Sequence, residues 1–250
     1  MDVTNNLVKW VYSLSLKKNR DKEKCFVAEG TKCVLDTLGS FRLKYLFCTE
    51  EWLESHGDVA GYATVASKVQ MERMSMLKTS AEVIAVYEMP EYCMESIDAE
   101  RNLYLALDNV QDPGNLGTII RIADWFGIHD IFCSPGTVDV YNPKVVQSTM
   151  GAISRVRVHY CSLPELFGRC GGVPVYGTFL DGDNIYGKPL SGNGFIVMGN
   201  EGKGISKELE EYVTARLLVP SYPQEAVTSE SLNVGMATAI VVSEFRRRML

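Results

Sequence analysis

Four short apolar runs after residue 102, at residues 103–107, 128–133, 173–179 and 195–198, limit the folds open to the chain. Helical stretches and loops rich in glycine, aspartate and asparagine separate them. Strands this short and this apolar are covered on both faces, which is the condition of a parallel sheet with helices above and below. The expected fold class is therefore α/β.

The first 90 residues follow a different pattern. Leu7, Val8, Val11 and Leu14 recur at helical spacing, the charged run KKNRDKEK fills 17–24, and CFVAEGTKCVLDTL reads as a short strand entering a helix. Further strands are expected at LKYLFC (43–48) and at 83–86. The segment MPEYCMESIDAERN carries a proline, four acidic side chains and little apolar periodicity, so it reads as a linker. The expected division is a small α/β domain over 1–90, a linker over 91–102 and a larger α/β domain over 103–250.

Composition bounds the function. With 46% hydrophobic and 22% charged residues the 250-residue chain is globular, and a formal net charge of -6 excludes a protein whose main task is to coat nucleic acid. A local basic patch on an enzyme stays compatible with it. Seven cysteines, odd in number and never spaced C-x-x-C, suggest neither a disulfide framework nor a metal site, and point to a reducing cytoplasm. No window approaches the ~18 apolar residues of a membrane span.

Three blocks carry chemistry. In LDNVQDPGNLGTIIRI (107–122), Asn115 reads as a helix cap, and Arg121 follows on a helix that also presents Gly117 and Thr118, a small-residue floor beside a guanidinium. A core helix with an Arg121–Asp124 surface pair is the plainer reading, but it leaves that floor unexplained. FIVMGNEGKGISKELEEYV then runs from a strand through a loop containing Gly199, Gly202 and Gly204 into a helix capped by Ser206. The spacing is not that of a phosphate loop, and Glu201 within it would repel a diphosphate, so a cationic sulfonium suits the loop better. In SESLNVGMATAIVVSEFRRRML, Ser231 or Asn233 caps a helix with small residues at 235 and 237–239, and Arg246, Arg247 and Arg248 form a basic end, read as a solvated tail more than as an RNA contact.

In this order, NxGTIIRxA, MGNEGxGIS and SLNVxxAxAIxxxEFRR resemble the motif set of the SpoU, or TrmH, family of RNA ribose 2′-O-methyltransferases. SLSLKKNR and FVAEGTKCVLDTL resemble the substrate-binding domain that precedes many of them. The resemblance implies a knotted parallel-sheet catalytic domain of the SPOUT class, with a C-terminal trefoil knot, after a small RNA-binding α/β domain. It also implies S-adenosylmethionine as cofactor and a homodimer. By the same comparison Asn115, Arg121, Glu201, Ser231 and Asn233 are the polar active-site set, and Gly199, Val219 and Leu232 give backbone contacts to the cofactor. The segment VPSYPQEAVTSESLN is several residues longer than is usual there and lacks the usual glycine, and Gly235 stands where a serine is common.

A guanidinium is a poor proton acceptor at neutral pH, so Arg121 is expected to bind a phosphate and stabilise charge developing on the ribose oxygen. Glu201 is left with two roles, orienting Arg121 or Asn115, or taking a proton through water. Lys17, Lys18 and Arg20 are candidate phosphate contacts. Ribosomal RNA is the favoured substrate over transfer RNA. The competing readings are a non-catalytic RNA-binding or assembly protein that keeps the fold, and a base-methylating relative.

Overall fold

The computed structural model describes residues 2–94, 97–223 and 229–250, which fall into two compact units. The first contains a four-stranded sheet built from β1 (Cys25–Glu29), β2 (Leu43–Cys48), β3 (Ala63–Val65) and β4 (Val83–Glu88), in the order β1-β4-β2-β3. β4 pairs antiparallel with β1 and β2, and β3 joins β2 in parallel. Around it lie α1 (Asn5–Ser13), α2 (Lys17–Glu23), α3 (Thr31–Thr37), α4 (Glu50–Ser55) and α5 (Lys68–Met74). Thr4 caps α1 by accepting the Leu7 N–H, and Val8 and Val11 of that helix join Phe47, Met71, Met74 and Ile84 in one core.

The second unit is a six-stranded sheet of β5 (Leu103–Leu107), β6 (Asp130–Cys133), β7 (Arg157–Tyr160), β8 (Val175–Asn184), β9 (Gly194–Met198) and β10 (Ala215–Leu218). The order is β10-β8-β9-β5-β6-β7, and all five pairings are parallel. Every residue of the central strands β5 and β9 is buried, as expected for strands covered on both faces. The helices of this unit are α6 (Pro113–Trp125), α8 (Leu163–Arg169), α9 (Lys207–Glu210) and α10 (Val234–Arg247), and α10 packs along α6. From β5 the chain proceeds outward to β6 and β7, whereas β8, β9 and β10 lie on the other side. The loops after β5 and β9 therefore diverge at the carboxyl ends of adjacent strands, the position at which open parallel sheets form ligand crevices.

Two boundaries differ from the sequence expectation. Residues Asp139–Arg155, assigned by pattern to the 103–250 domain, belong to the first unit. This segment carries α7 (Pro143–Thr149), which lies on β1, while Tyr141 packs its ring on Phe26 at 4.7 Å. The 91–102 linker is also not a free tether. Met94, Ile97 and Ala99 pack on the core of the second unit, and Tyr104 Oη accepts the Asp98 N–H. Three apolar side chains spaced among acids were enough to anchor it.

Arg20, expected to touch phosphate, is a structural residue. Its side chain is 2% exposed, donates to the Leu14 and Ser15 carbonyls, and forms an ion pair with Asp139 at 2.5 Å. One turn after Lys17 on α2, it occupies the inward face of that helix, while Lys17 and Lys18 remain exposed. The basic end of α10 is likewise engaged. Arg246 donates to the Phe126 and Gly127 carbonyls at the end of α6, and Arg248 donates to the carbonyls of Ile185, Tyr186 and Lys188. Carbonyls left over at helix ends attract guanidinium groups, so Arg246 and Arg248 are held against the protein while Arg247 stays exposed.

Two predictions follow from these pairs. Arg20→Ala leaves Asp139 and two carbonyls without their donor and costs about 3–5 kcal/mol of stability in denaturant titration, whereas Lys17→Ala with Lys18→Ala leaves stability nearly unchanged. Glu244 is buried, and hydrogen bonds from Arg247 and Arg248 hold its carboxyl down at about 2 from an ordinary 4.5. A depressed carboxyl stabilises the fold above its ordinary value, and that stabilisation is lost as pH falls from about 4.5 towards 2. The Tm difference between wild type and Glu244→Gln should accordingly be full at pH 6 and shrink through that window.

Candidate active site

The site is assembled where β5 and β9 end. The Asp108 N–H donates to the Met198 carbonyl, so the two loops leave the sheet side by side. The Asp108 carboxylate, 2% exposed, then accepts the Asn109 side-chain amide at 2.6 Å and the Ser206 N–H at 2.7 Å, which ties the start of one loop to the end of the other. Gly199 opens the β9 loop at a point with no room for a side chain, since a Cβ there would lie 2.2 Å from the Gly204 carbonyl carbon. Gly204 closes it at φ +70°, a backbone conformation that glycine adopts without steric cost.

α6 begins earlier than its sequence suggests. Asp112, not Asn115, is the N-cap, accepting the Asn115 N–H at 2.8 Å, and Pro113 occupies the first helical position. Asn115 is thereby freed from capping, and its side chain bridges two other site residues. Its Nδ2 donates to Glu201 Oε1 at 3.0 Å, and its Oδ1 accepts from Asn233 Nδ2 at 2.8 Å. Asn233 caps α10 through its own Oδ1, which accepts the Gly235 and Met236 N–H groups. Three of the five expected polar residues thus form one hydrogen-bonded row, Asn233–Asn115–Glu201.

Glu201 also accepts the Gln111 and Asp112 N–H groups, at 3.2 and 3.1 Å. Burial pushes its carboxyl up, but the hydrogen bonds from Asn115, Asp112 and Gln111 outweigh burial and hold it below the ordinary glutamate value. Such a carboxylate is ionised at neutral pH and is a weaker base than a free glutamate. Of the two roles left to Glu201 by sequence, the geometry favours orientation of Asn115.

The other two polar residues lie outside the row. Arg121 is exposed on α6, six residues after Asn115, and forms no hydrogen bond or ion pair among the described residues. Its small-residue floor is not open either. Gly117 is buried and Thr118 faces α10, where a Cβ on Gly235 would approach Thr118 Cγ2 to 3.2 Å. The small residues serve helix packing. Ser231 is exposed and lines a cavity of about 470 Å³ together with Gly199, Glu201, Val219 and Leu232, so all three expected cofactor contacts share one space. Part of the long 219–232 loop, residues 224–228, lies outside the described residues.

The cavity fits a cationic nucleoside. Its volume is in the usual range for ligand sites, and among the described residues Glu201, Glu230 and Glu210, the last paired with Arg216, line it with Lys203. This acidic balance favours a sulfonium over a phosphate. Sequence reading overlooked Asp108, Asn109 and Asn200, whose polar side chains bond backbone groups or, for Asn109, the Asp108 carboxylate. Asn109 adopts φ 55°, a left-handed conformation that asparagine tolerates better than most residues.

Residues 102–243 match the model of the SpoU rRNA methylase family, and residues 5–85 match that of the MRM3-like substrate binding domain. The chain belongs to the SpoU rRNA methylase family. Among SpoU relatives it is similar to the 23S rRNA (guanosine(2553)-2′-O)-methyltransferase RlmP of Bacillus subtilis, 34% identical over 97% of this chain and 96% of that protein. A putative RNA methyltransferase of the TrmH family from Porphyromonas gingivalis superimposes with a TM-score of 0.87 at 38% identity, covering 99% of this chain and 100% of the other. An AdoMet-bound rRNA methyltransferase from Sinorhizobium meliloti gives 0.86 at 30% identity, covering 100% and 97%.

For this SpoU chain the backbone crowding at Gly199 is the most direct test of the cavity. Gly199→Ala forces the 199–204 loop apart and should weaken S-adenosylmethionine binding at least ~30-fold by calorimetry, about 2 kcal/mol at 1.4 kcal/mol per decade. Gly202→Ala, where an added Cβ meets nothing nearer than 3.8 Å, should change it less than ~3-fold.

Proposed function

We propose that this protein transfers a methyl group from S-adenosylmethionine to a ribose 2′-hydroxyl of ribosomal RNA. The observation that carries this reading is the Asn233–Asn115–Glu201 row, whose Glu201 also lines the cavity that Ser231, Gly199, Val219 and Leu232 share. Family membership supports it, as do relatives named as 23S rRNA 2′-O-methyltransferases. Transfer RNA is the second reading for the substrate.

When bound, S-adenosylmethionine supplies an electrophilic methyl carbon on a sulfonium. The protein has then to align a ribose hydroxyl with that carbon and to favour loss of its proton. The Glu201 carboxylate fixes Asn115, and Asn115 with Asn233 presents amide groups to the substrate. Arg121, exposed and unengaged among the described residues, binds a neighbouring phosphate and stabilises negative charge on the ribose oxygen as it forms. Ser231 at the cavity rim positions cofactor or ribose, and Gly199, Val219 and Leu232 offer backbone groups to the cofactor. Lys17 and Lys18, exposed at the start of α2, serve as RNA phosphate contacts.

Three further features belong to the same reading. A C-terminal trefoil knot belongs to this reading, and it is supported by a cavity lined from separate stretches, among them 198–205, 217–219 and 230–232. Trp125 on α6 and Met236 on α10 are large apolar side chains exposed on neighbouring helices, which supports a homodimer through these helices. All seven cysteines are unbridged, in keeping with a reducing cytoplasm.

Mapping of 2′-O-methyl nucleotides in total RNA from cells with and without this protein should show the loss of one defined ribosomal site. No difference at any ribose contradicts the reading, and loss of a transfer RNA site moves the substrate. In the reconstituted reaction Arg121→Lys should lower kcat/KM at least ~10-fold, because an ammonium cannot reproduce a bidentate guanidinium contact. Near-full turnover would remove the phosphate role from Arg121.

A further inference from the structure

Asn200 stands between the two loops of the site and no role has been given to it. Its Oδ1 accepts the Gly202 and Lys203 N–H groups, both at 3.0 Å, which folds the cofactor-side loop back on itself. Its Nδ2 donates to the Asn109 carbonyl at 2.7 Å, across to the loop that follows β5. The same amide reaches Glu201 Oε2 at the outer limit of a hydrogen bond, 3.5 Å. One carboxamide thus uses its acceptor on the β9 loop and its donor on the β5 loop.

The partner at the far end is itself rigidly held. The Asn109 N–H donates to Ser134 Oγ at 2.9 Å and its side-chain amide to Asp108. The turn beyond it closes over it so tightly that a Cβ on Gly136 would fall 1.8 Å from Asn109 Oδ1. Asn200 therefore ties the glycine-containing loop after β9 to a fixed point at the carboxyl end of β5. Glu201, the next residue, inherits that position, and its carboxylate then meets the Gln111 and Asp112 N–H groups and Asn115.

We infer that Asn200 is a positioning residue for the methyl transfer, setting the place of the Glu201 carboxylate, and through it Asn115, from the anchored Asn109 carbonyl. The inference rests on the proposed reaction for its kinetic consequences and on the apo protein for its structural ones. Its two arms are separable by substitution. Asn200→Asp keeps the acceptor for Gly202 and Lys203 but replaces the donor with a charge that repels the Asn109 carbonyl; Asn200→Ala removes both.

The experiment takes the full-length protein without cofactor and follows amide hydrogen exchange, then measures kinetics with S-adenosylmethionine and ribosomal RNA from cells lacking the protein. In both variants the Gln111 and Asp112 amides should exchange about 10-fold faster, while those of Ile119–Ala123 inside α6 keep wild-type rates. Asn200→Asp should lower kcat about 10-fold with the KM for S-adenosylmethionine within ~3-fold of wild type, and Asn200→Ala should change both. In a Glu201→Gln background Asn200→Ala should lower kcat by less than ~3-fold further, because the two residues act in series. Unchanged exchange at Gln111 and Asp112, or fully multiplicative effects in the double variant, would overturn the inference. If the variants show the exchange result yet the wild-type protein methylates no RNA, the proposed reaction is overturned and the positioning of Glu201 stands.

Discussion

The active-site region depends on one carboxylate. Glu201 leaves the loop after β9 and accepts hydrogen bonds from the backbone of Gln111 and Asp112 and from the side chain of Asn115, all on the segment that leaves β5 and begins α6. The unpaired N–H groups at the start of a helix favour a negative charge placed there, and in return they keep that charge ionised. The loop that walls the cofactor cavity and the helix that carries Asn115 and Arg121 are thereby joined by a charge-assisted contact. Remove the charge, and Asn115 loses the partner that orients it towards Asn233.

This arrangement separates the roles that the residue types alone left mixed. A carboxylate stabilised by three donors is a good orienting group and a poor base. A guanidinium with no partner among the described residues is free to meet an anion, and it too is a poor base. Catalysis on this account comes from alignment and from electrostatic support of the oxygen, with no side chain of the row titrating near neutrality. That suits a reaction in which the nucleophile is weakly acidic and the electrophile already carries a positive charge.

Much of this was legible in the sequence, and the failures have physical causes. The fully buried strands β5 and β9 announced themselves as unbroken apolar runs, and the residues around Gly199 gave both the loop and the sign of its charge. β7 did not, because Arg157 and Tyr160 at its ends are exposed and His159 is buried against Phe132, so an edge strand reads as a polar stretch. The segment Asp139–Arg155 was assigned to the wrong unit because its contacts with β1 and Phe26 are made across more than 100 residues of sequence. Arg20 was misread for a similar reason, since its acceptor Asp139 lies 119 positions away. At the site, residue identity gave Glu201, Asn115 and Asn233 but not their connection. Only the true cap at Asp112 shows why the Asn115 side chain is available to bridge them.

The central claim is that Glu201 acts as a hydrogen-bond acceptor that orients Asn115 and does not take the ribose proton. The pH dependence of methyl transfer tests it most directly, measured under single turnover for wild type and Glu201→Gln. The account predicts a lower rate in the variant with the same profile shape across the acid range, since no proton transfer to residue 201 is involved. Loss of an acid limb in Glu201→Gln that is present in wild type would identify the carboxylate as the base and contradict it.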